Sequence, residues 1–210
     1  MKIRVLTILF LVFMSCKNAN EKETEKFEIK IDSTELKIEK AERQSENIKL
    51  TSFLENPIDL QEFKEKKSRN VTTSVTNGMV YHFHPKVSDS IFYNYYFHNE
   101  NLNSNRIDQI TVFKYGQNKH RYDDKTETLI EFKIFNNDSD LGKANLVGLP
   151  KTELESEFGT DYLTFDNGIV YSYKNRVLII ELNDSKVKSY NYIKLNTEKI
   201  DKNLIGQIIK

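Results

Sequence analysis

Residues 76–83 read TNGMVYHF and residues 166–173 read DNGIVYSY, so one pattern of Asn-Gly, aliphatic, Val-Tyr, polar, aromatic occurs twice. Asn-Gly between alternating apolar runs is the strongest short signal for a hairpin, because a two-residue type I′ turn needs positive φ at both central positions. The pattern predicts that 71–76 pairs with 79–84 and that 162–166 pairs with 169–173. Two strand-like runs follow each hairpin: 91–97 and 107–115 in the first case, 176–182 and 187–195 in the second. The last two are joined through Asn183, Asp184 and Ser185.

A short amphipathic helix precedes each hairpin. NPIDLQEFKEKK at 56–67 places Pro57 near its start, with Leu60 and Phe63 apolar. LPKTELESEFG at 149–159 has Pro150 in the first turn, Leu154 and Phe158 four apart, and Gly159 at the stop. The expected fold class is therefore α+β: two tandem helix-plus-four-stranded antiparallel meander units, with TETLIEFKIF at 126–135 as an extra strand between them. Whether the units share one continuous sheet is left open. In the tail, 197–210, Ile200, Leu204 and Ile208 form one helical stripe, weakened by Gly206.

The amino terminus is of another kind. Lys2 and Arg4 precede an apolar run, Val5 to Met14, in which Thr7 is the one polar residue. Ten residues fall short of the about 20 that cross a bilayer, and the order is that of a secretory signal. The only cysteine, Cys16, follows Ser15 directly, and KNANEKETEK follows it. With Phe13-Met14-Ser15-Cys16 in place of the lipobox, this resembles a bacterial lipoprotein signal. The resemblance implies that the Cys16 thiol takes a diacylglycerol, that residues 1–15 are cut away, and that the new amino terminus is acylated, palmitate being a usual chain. Two or three chains, at about 0.8 kcal/mol per buried methylene, would hold the protein on a membrane durably. Its place would be the cell envelope, and Lys17 rather than an aspartate after Cys16 favours the outer membrane.

With Cys16 consumed, no thiol remains for disulfides, thiolate catalysis or cysteine-bound metal. Cleavage removes two of 31 basic residues, leaving 29 against 31 acidic and a net charge of −2. That balance argues against nucleic-acid binding through a basic field. Residues 16–48 are dominated by Lys, Glu, Asn and Ser and read as an extended tether. The domain scheme is then 1–15 signal, 16–48 lipidated tether, 49–125 first unit and loop, 126–196 connecting strand and second unit, and 197–210 closing helix.

In LVGLPKTELESEFG, Gly148, Lys151, Glu153, Leu154, Phe158 and Gly159 resemble a small bacterial envelope domain. Its members include the lipoprotein subunit of the outer-membrane β-barrel assembly machine and, as a tandem pair, the β-lactamase inhibitory proteins. Pro150 departs from the capping threonine common there, and no proline follows Phe158-Gly159. The resemblance implies protein binding through the open sheet face without an active site. It passes on no partner-binding residue.

On a strand, His82 and His84 would share a face about 7 Å apart. They are weak candidates for zinc or copper if His98 or Asp89 supplied a third ligand, and otherwise are surface or hydrogen-bonded histidines. IFYNYYF at 91–97 is aromatic on both faces: Phe92 and Tyr96 on one, Tyr93, Tyr95 and Phe97 on the other. Either both faces are covered or one presents tyrosines to a protein or glycan, with Tyr81, Tyr93 and Tyr95 as partner-binding candidates. No nucleophile elbow, phosphate loop or HExxH occurs, and the acids Asp123, Asp124, Asp138 and Asp140 read as solvated loop residues rather than a calcium site. No cofactor is expected. The leading expectation is a lipid-anchored, non-catalytic binding module for another macromolecule. The alternatives are an inhibitor or immunity lipoprotein that neutralises an enzyme, and an envelope hydrolase without a familiar motif.

Overall fold

A computed structural model describes residues 48–67, 71–98 and 106–210; Cys16 and the tether lie outside them. The order of elements is helix α1 (48–55), α2 (Leu60–Lys67), strands β1 (Val71–Thr76), β2 (Ser90–Phe97), β3 (Asp108–Tyr115) and β4 (Thr128–Ile134), then a 3-10 segment (Ser139–Ala144). After it come α3 (Lys151–Phe158), β5 (Leu163–Phe165), β6 (Gly168–Tyr173), β7 (Arg176–Asn183), β8 (Lys186–Lys194) and α4 (Lys202–Ile209). The fold is α+β, built on one eight-stranded antiparallel sheet in the order β1-β2-β3-β4-β8-β7-β6-β5.

Helix α1 is an element the sequence reading missed, although its signal was present. Leu50, Phe53 and Leu54 stand at i, i+3 and i+4 and all three are buried. The helix begins at Ile48, the last residue of the expected tether. Helix α2 begins only after Pro57, where the Asp59 carboxylate accepts the Glu62 N–H at 3.0 Å. Helix α3 runs between Pro150 and Gly159, whose φ of 79° ends it. Helix α4 starts on Asp201, which accepts from the N–H groups of Asn203 and Leu204.

One face of the sheet packs on α1, α2, the 3-10 segment and α3. The main core runs across both halves of this face, from Phe97 and Ile110 through Phe132 and Tyr190 to Leu178, Ile180 and Tyr171. On the other face, α4 covers Val170, Val177, Ile179, Ile193 and Leu195. A separate small cluster there joins Phe92, Phe113 and Ile130 under Phe83. Both faces of β2 are thus covered at Phe92, Tyr95 and Phe97.

Tyrosines of the sheet and of the β3–β4 loop tie to the helices. The hydroxyls of Tyr192, Tyr122, Tyr171 and Tyr190 donate to the carbonyls of Leu54 (3.0 Å), Lys64 (2.8 Å), Gly159 (2.8 Å) and Ala144, respectively. These carbonyls lie in or just past the last turns of α1, α2, α3 and the 3-10 segment, where the helix itself supplies no donor. In a chain with 11 Tyr and no Trp, the aromatic body fills the core while its hydroxyl adds a donor to a carbonyl near a helix end.

The two Asn-Gly sites take different structures. At the second, β5 pairs with β6, but Phe165 faces Gly168, so the turn residues are Asp166 and Asn167, and neither has positive φ. Gly168 is required by close approach: an added Cβ would lie 2.1 Å from the Ile180 carbonyl oxygen. A pair of positive φ values occurs instead at Asp184 (50°) and Ser185 (59°) in the β7–β8 turn. At the first site the expected hairpin is absent. β1 pairs with β2, Thr76 opposite Phe92, and residues 77–89 form a strap without a strand. The strap bonds to the far half: Phe83 N–H donates to Lys194 O (2.9 Å) and Asn196 N–H to Tyr81 O (3.1 Å). It occupies the end of β8 beyond Ile193, where β8 no longer pairs with β4.

Candidate functional site

The strap decides where the histidines go. A turn closed by His82 N–H to Met79 O (2.9 Å) and by Met79 N–H to His82 Nδ1 (2.9 Å) turns the His82 ring inward, where it is buried. Because Nδ1 accepts, the proton of the neutral ring sits on Nε2. Nε2 lies 3.3 Å from Glu131 Oε2 but is not aligned for a good hydrogen bond, so the contact is electrostatic. Burial alone would raise the Glu131 carboxyl, but the His82 ring, Lys133 and Asn191 together hold it below the usual range.

His84 is exposed, edge-on to Phe92 at 4.7 Å. Neither expected third ligand joins the pair. His98, just past the end of β2 and six residues from Phe92, contacts Thr72 Oγ1 at 3.0 Å, and Asp89 pairs with Lys119 at 2.8 Å. Among the described residues no three His, Cys, Asp or Glu side chains converge as a metal would need.

The tyrosine candidates separate in the same way. Tyr95 has 0% exposure and cannot meet a partner, because β2 lies one strand in from the edge and its face is roofed by α2. Tyr93 is half-buried, its hydroxyl 3.4 Å from Thr73 Oγ1. Tyr81 is also half-buried, its phenol pushed up to about 12 by burial and by the Glu131 charge. No single outer face holds the three.

Around Tyr95 the interior is charged, which the sequence reading did not find. The Glu127 side chain is buried and accepts from Lys64 Nζ (2.5 Å), Gln61 Nε2 (2.8 Å) and the Tyr95 hydroxyl (2.9 Å). Lys114 Nζ donates to the Tyr95 hydroxyl (3.1 Å) and to the Arg121 carbonyl, and stands 3.9 Å from Glu127. Lys64 also lies over the rings of Tyr95 and Tyr122 at 4.9 and 4.7 Å. Two cations share one carboxylate. Burial, with Lys64 nearby, leaves the Lys114 ammonium below its ordinary range, and burial beside Glu127 pushes the Tyr122 phenol up to about 12. Every side-chain head here is engaged within the cluster or with a neighbouring carbonyl. A period-two strand pattern that places a lysine at 114 between Phe113 and Tyr115 is the only signal that could have marked it.

The accessible surface lies beside it. β1 is one edge of the sheet, and its burial pattern is the most open of any long strand. Residues 71–85 contain no Asp, Glu, Lys or Arg in a chain that is 30% charged. Along this stretch Val75, Met79 and Val80 are 56%, 49% and 88% exposed. Natural edges are commonly blunted by charge, proline or a bulge, and β1 has none of these within Val71–Thr76. The other edge, β5, is only three residues long.

Among the described residues no helix is long and apolar enough to cross a membrane. The chain matches no protein-family model, no curated protein and no solved structure.

Proposed function

We propose that the protein is a lipid-anchored envelope lipoprotein that acts as a non-catalytic binding module, capturing a protein partner that adds an extended segment to the β1 edge. The uncharged, unblunted edge strand with exposed Val75, Met79 and Val80 beside it carries this reading. Strand addition uses the unpaired backbone groups for affinity and alternate side chains for choice of partner. In this reading the two helix-plus-meander halves are tandem units, the second a rigid platform and the first the half that meets the partner. Anchorage at Cys16 would place it on the outer membrane.

Pull-down from an envelope extract with the mature domain tests the reading against Val75→Lys and Val80→Lys. Both residues are exposed, so thermal melts should move little while capture falls at least tenfold. Capture that survives both substitutions would refute the edge. A concentration-dependent dimer dissolved by the same substitutions would make the partner a second copy. Membrane pelleting of Cys16→Ala, unchanged from the parent, would remove the anchor.

A further inference from the structure

We propose that the cleft between the α1–α2 loop and the start of β7 binds a small oxyanion, a phosphate or carboxylate group, held between Arg176 and Lys194. The two residues are direct cross-strand partners on β7 and β8. Their Cβ atoms therefore lie about 4.5–5.5 Å apart, an arrangement that is unfavourable for like charges unless something lies between them. Both side chains are half-buried, and among the described residues neither has a carboxylate within ion-pair distance. Arg176 reaches Asn175 Oδ1 at 3.5 Å and also lies against the Tyr192 hydroxyl, while Lys194 Nζ sits 4.4 Å above the Phe83 ring. None of these contacts supplies a carboxylate.

The cleft they line holds about 380 Å³ and is more polar than apolar, within the roughly 300–1,000 Å³ of small-molecule sites. Three acids also line it, and each is engaged elsewhere. Glu55 pairs with Lys174 at 3.4 Å, Asp59 caps α2, and Glu127 is bound by Lys64, Gln61 and Tyr95. Exposed Lys125 stands at the rim. Asp59 keeps its charge after capping, so the excess that a ligand meets is local: the Arg176 fork and the Lys194 point charge side by side. A guanidinium presents parallel donors that match two oxygens of an oxyanion, and an ammonium supplies the third contact. Burial and the neighbouring Arg176 leave the Lys194 ammonium below its ordinary range, the condition that an anion between the two would relieve. This site lies on the helix-covered face, away from the β1 edge, so it stands or falls independently of strand addition.

Thermal melting of the mature domain in inorganic phosphate, at ionic strength matched with chloride, tests the site, with acetate as the carboxylate arm. The expected result is a saturable rise in Tm for at least one of the two anions beyond the chloride control. Lys194→Met should weaken the midpoint at least tenfold, while its own Tm in chloride equals or exceeds the parent's because the repulsion is gone. Lys194→Arg should keep the response. Lys186→Met, removing an exposed cation at the far end of β8, should also keep it. No saturable response to either anion, a response retained by Lys194→Met, or one lost equally in Lys186→Met would overturn the proposal.

Discussion

In the second half of the sheet, β6 and β7 are largely aliphatic on both faces: Ile169, Leu178 and Ile180, with Tyr171, meet α1 and α3, while Val170, Val177 and Ile179 meet α4. In the first half the same core face holds Lys114, Tyr95 and, beside them, Lys64 and Glu127. The aliphatic half needs shape and the few tyrosine hydroxyls that reach helix carbonyls. The charged half needs its one shared carboxylate present, because a buried ion is tolerated only when paired and hydrogen-bonded. The difference teaches where each half is vulnerable.

The largest expected effect follows directly. Glu127→Gln leaves two buried ammonium groups without a counter-charge and should cost about 3–5 kcal/mol in urea unfolding. The carboxylate of the aliphatic half, Glu181, pairs with an exposed lysine, Lys188, and its removal should cost under about 1 kcal/mol. Equal losses would break the contrast between the halves.

The two Asn-Gly glycines sharpen it next. Gly168→Ala pushes a methyl onto the Ile180 carbonyl and within 2.2 Å of the Phe165 ring, so a loss of about 3 kcal/mol is expected, at the top of the range for overpacking. Gly78→Ala faces a φ of 73° and a 3.1 Å contact with the movable Phe92 ring, for about 1–2 kcal/mol. A reversed order in chemical denaturation would mean that the strap, not the β5–β6 hairpin, is the more rigid of the two.

A smaller effect depends on pH. The Glu131 carboxyl is held below its ordinary 4.5, so its contribution is present above pH 4.5 and drains away as pH falls through the depressed folded value. Glu131→Gln should flatten the acid limb of the stability curve below pH 4.5. An unchanged limb would show that the contacts of His82 and Lys133 leave the charge without a net benefit.

Much of this architecture was legible. Strands near 91–97, 107–115, 126–135, 176–182 and 187–195, and helices near 149–159 and 197–210, follow from period and punctuation, because β-branched runs and the Pro150 and Gly159 stops act locally. What local pattern could not give was the fate of one motif in two contexts. TNGMVYHF became a strap because Thr76 belongs to a strand already paired with β2, and because β8 offered bare backbone at residues 194–196. DNGIVYSY became β6 because β7 lay beside it. The inward turn of His82 follows from that non-local choice. The charged cluster was hidden for a similar reason: Lys64, Lys114 and Glu127 are far apart in sequence, and each alone resembles an ordinary surface residue.

The smallest effect tests whether the charged half carries one cation too many. Lys114 is lowered by burial and by Lys64, against the pull of Glu127, so between its folded value and its ordinary 10.5 the unfolded chain binds more protons than the folded one. Stability should therefore rise with pH through that window. Lys114→Met should abolish the rise and, at neutral pH, leave stability close to the parent's: the loss of donors to Tyr95 and Arg121 offsets the relief of repulsion between two ammonium groups. If Lys114→Met instead costs as much as Glu127→Gln, the cluster is a single cooperative network in which both cations are required, and the first half is built around a triad rather than a Lys64–Glu127 pair with a tolerated neighbour.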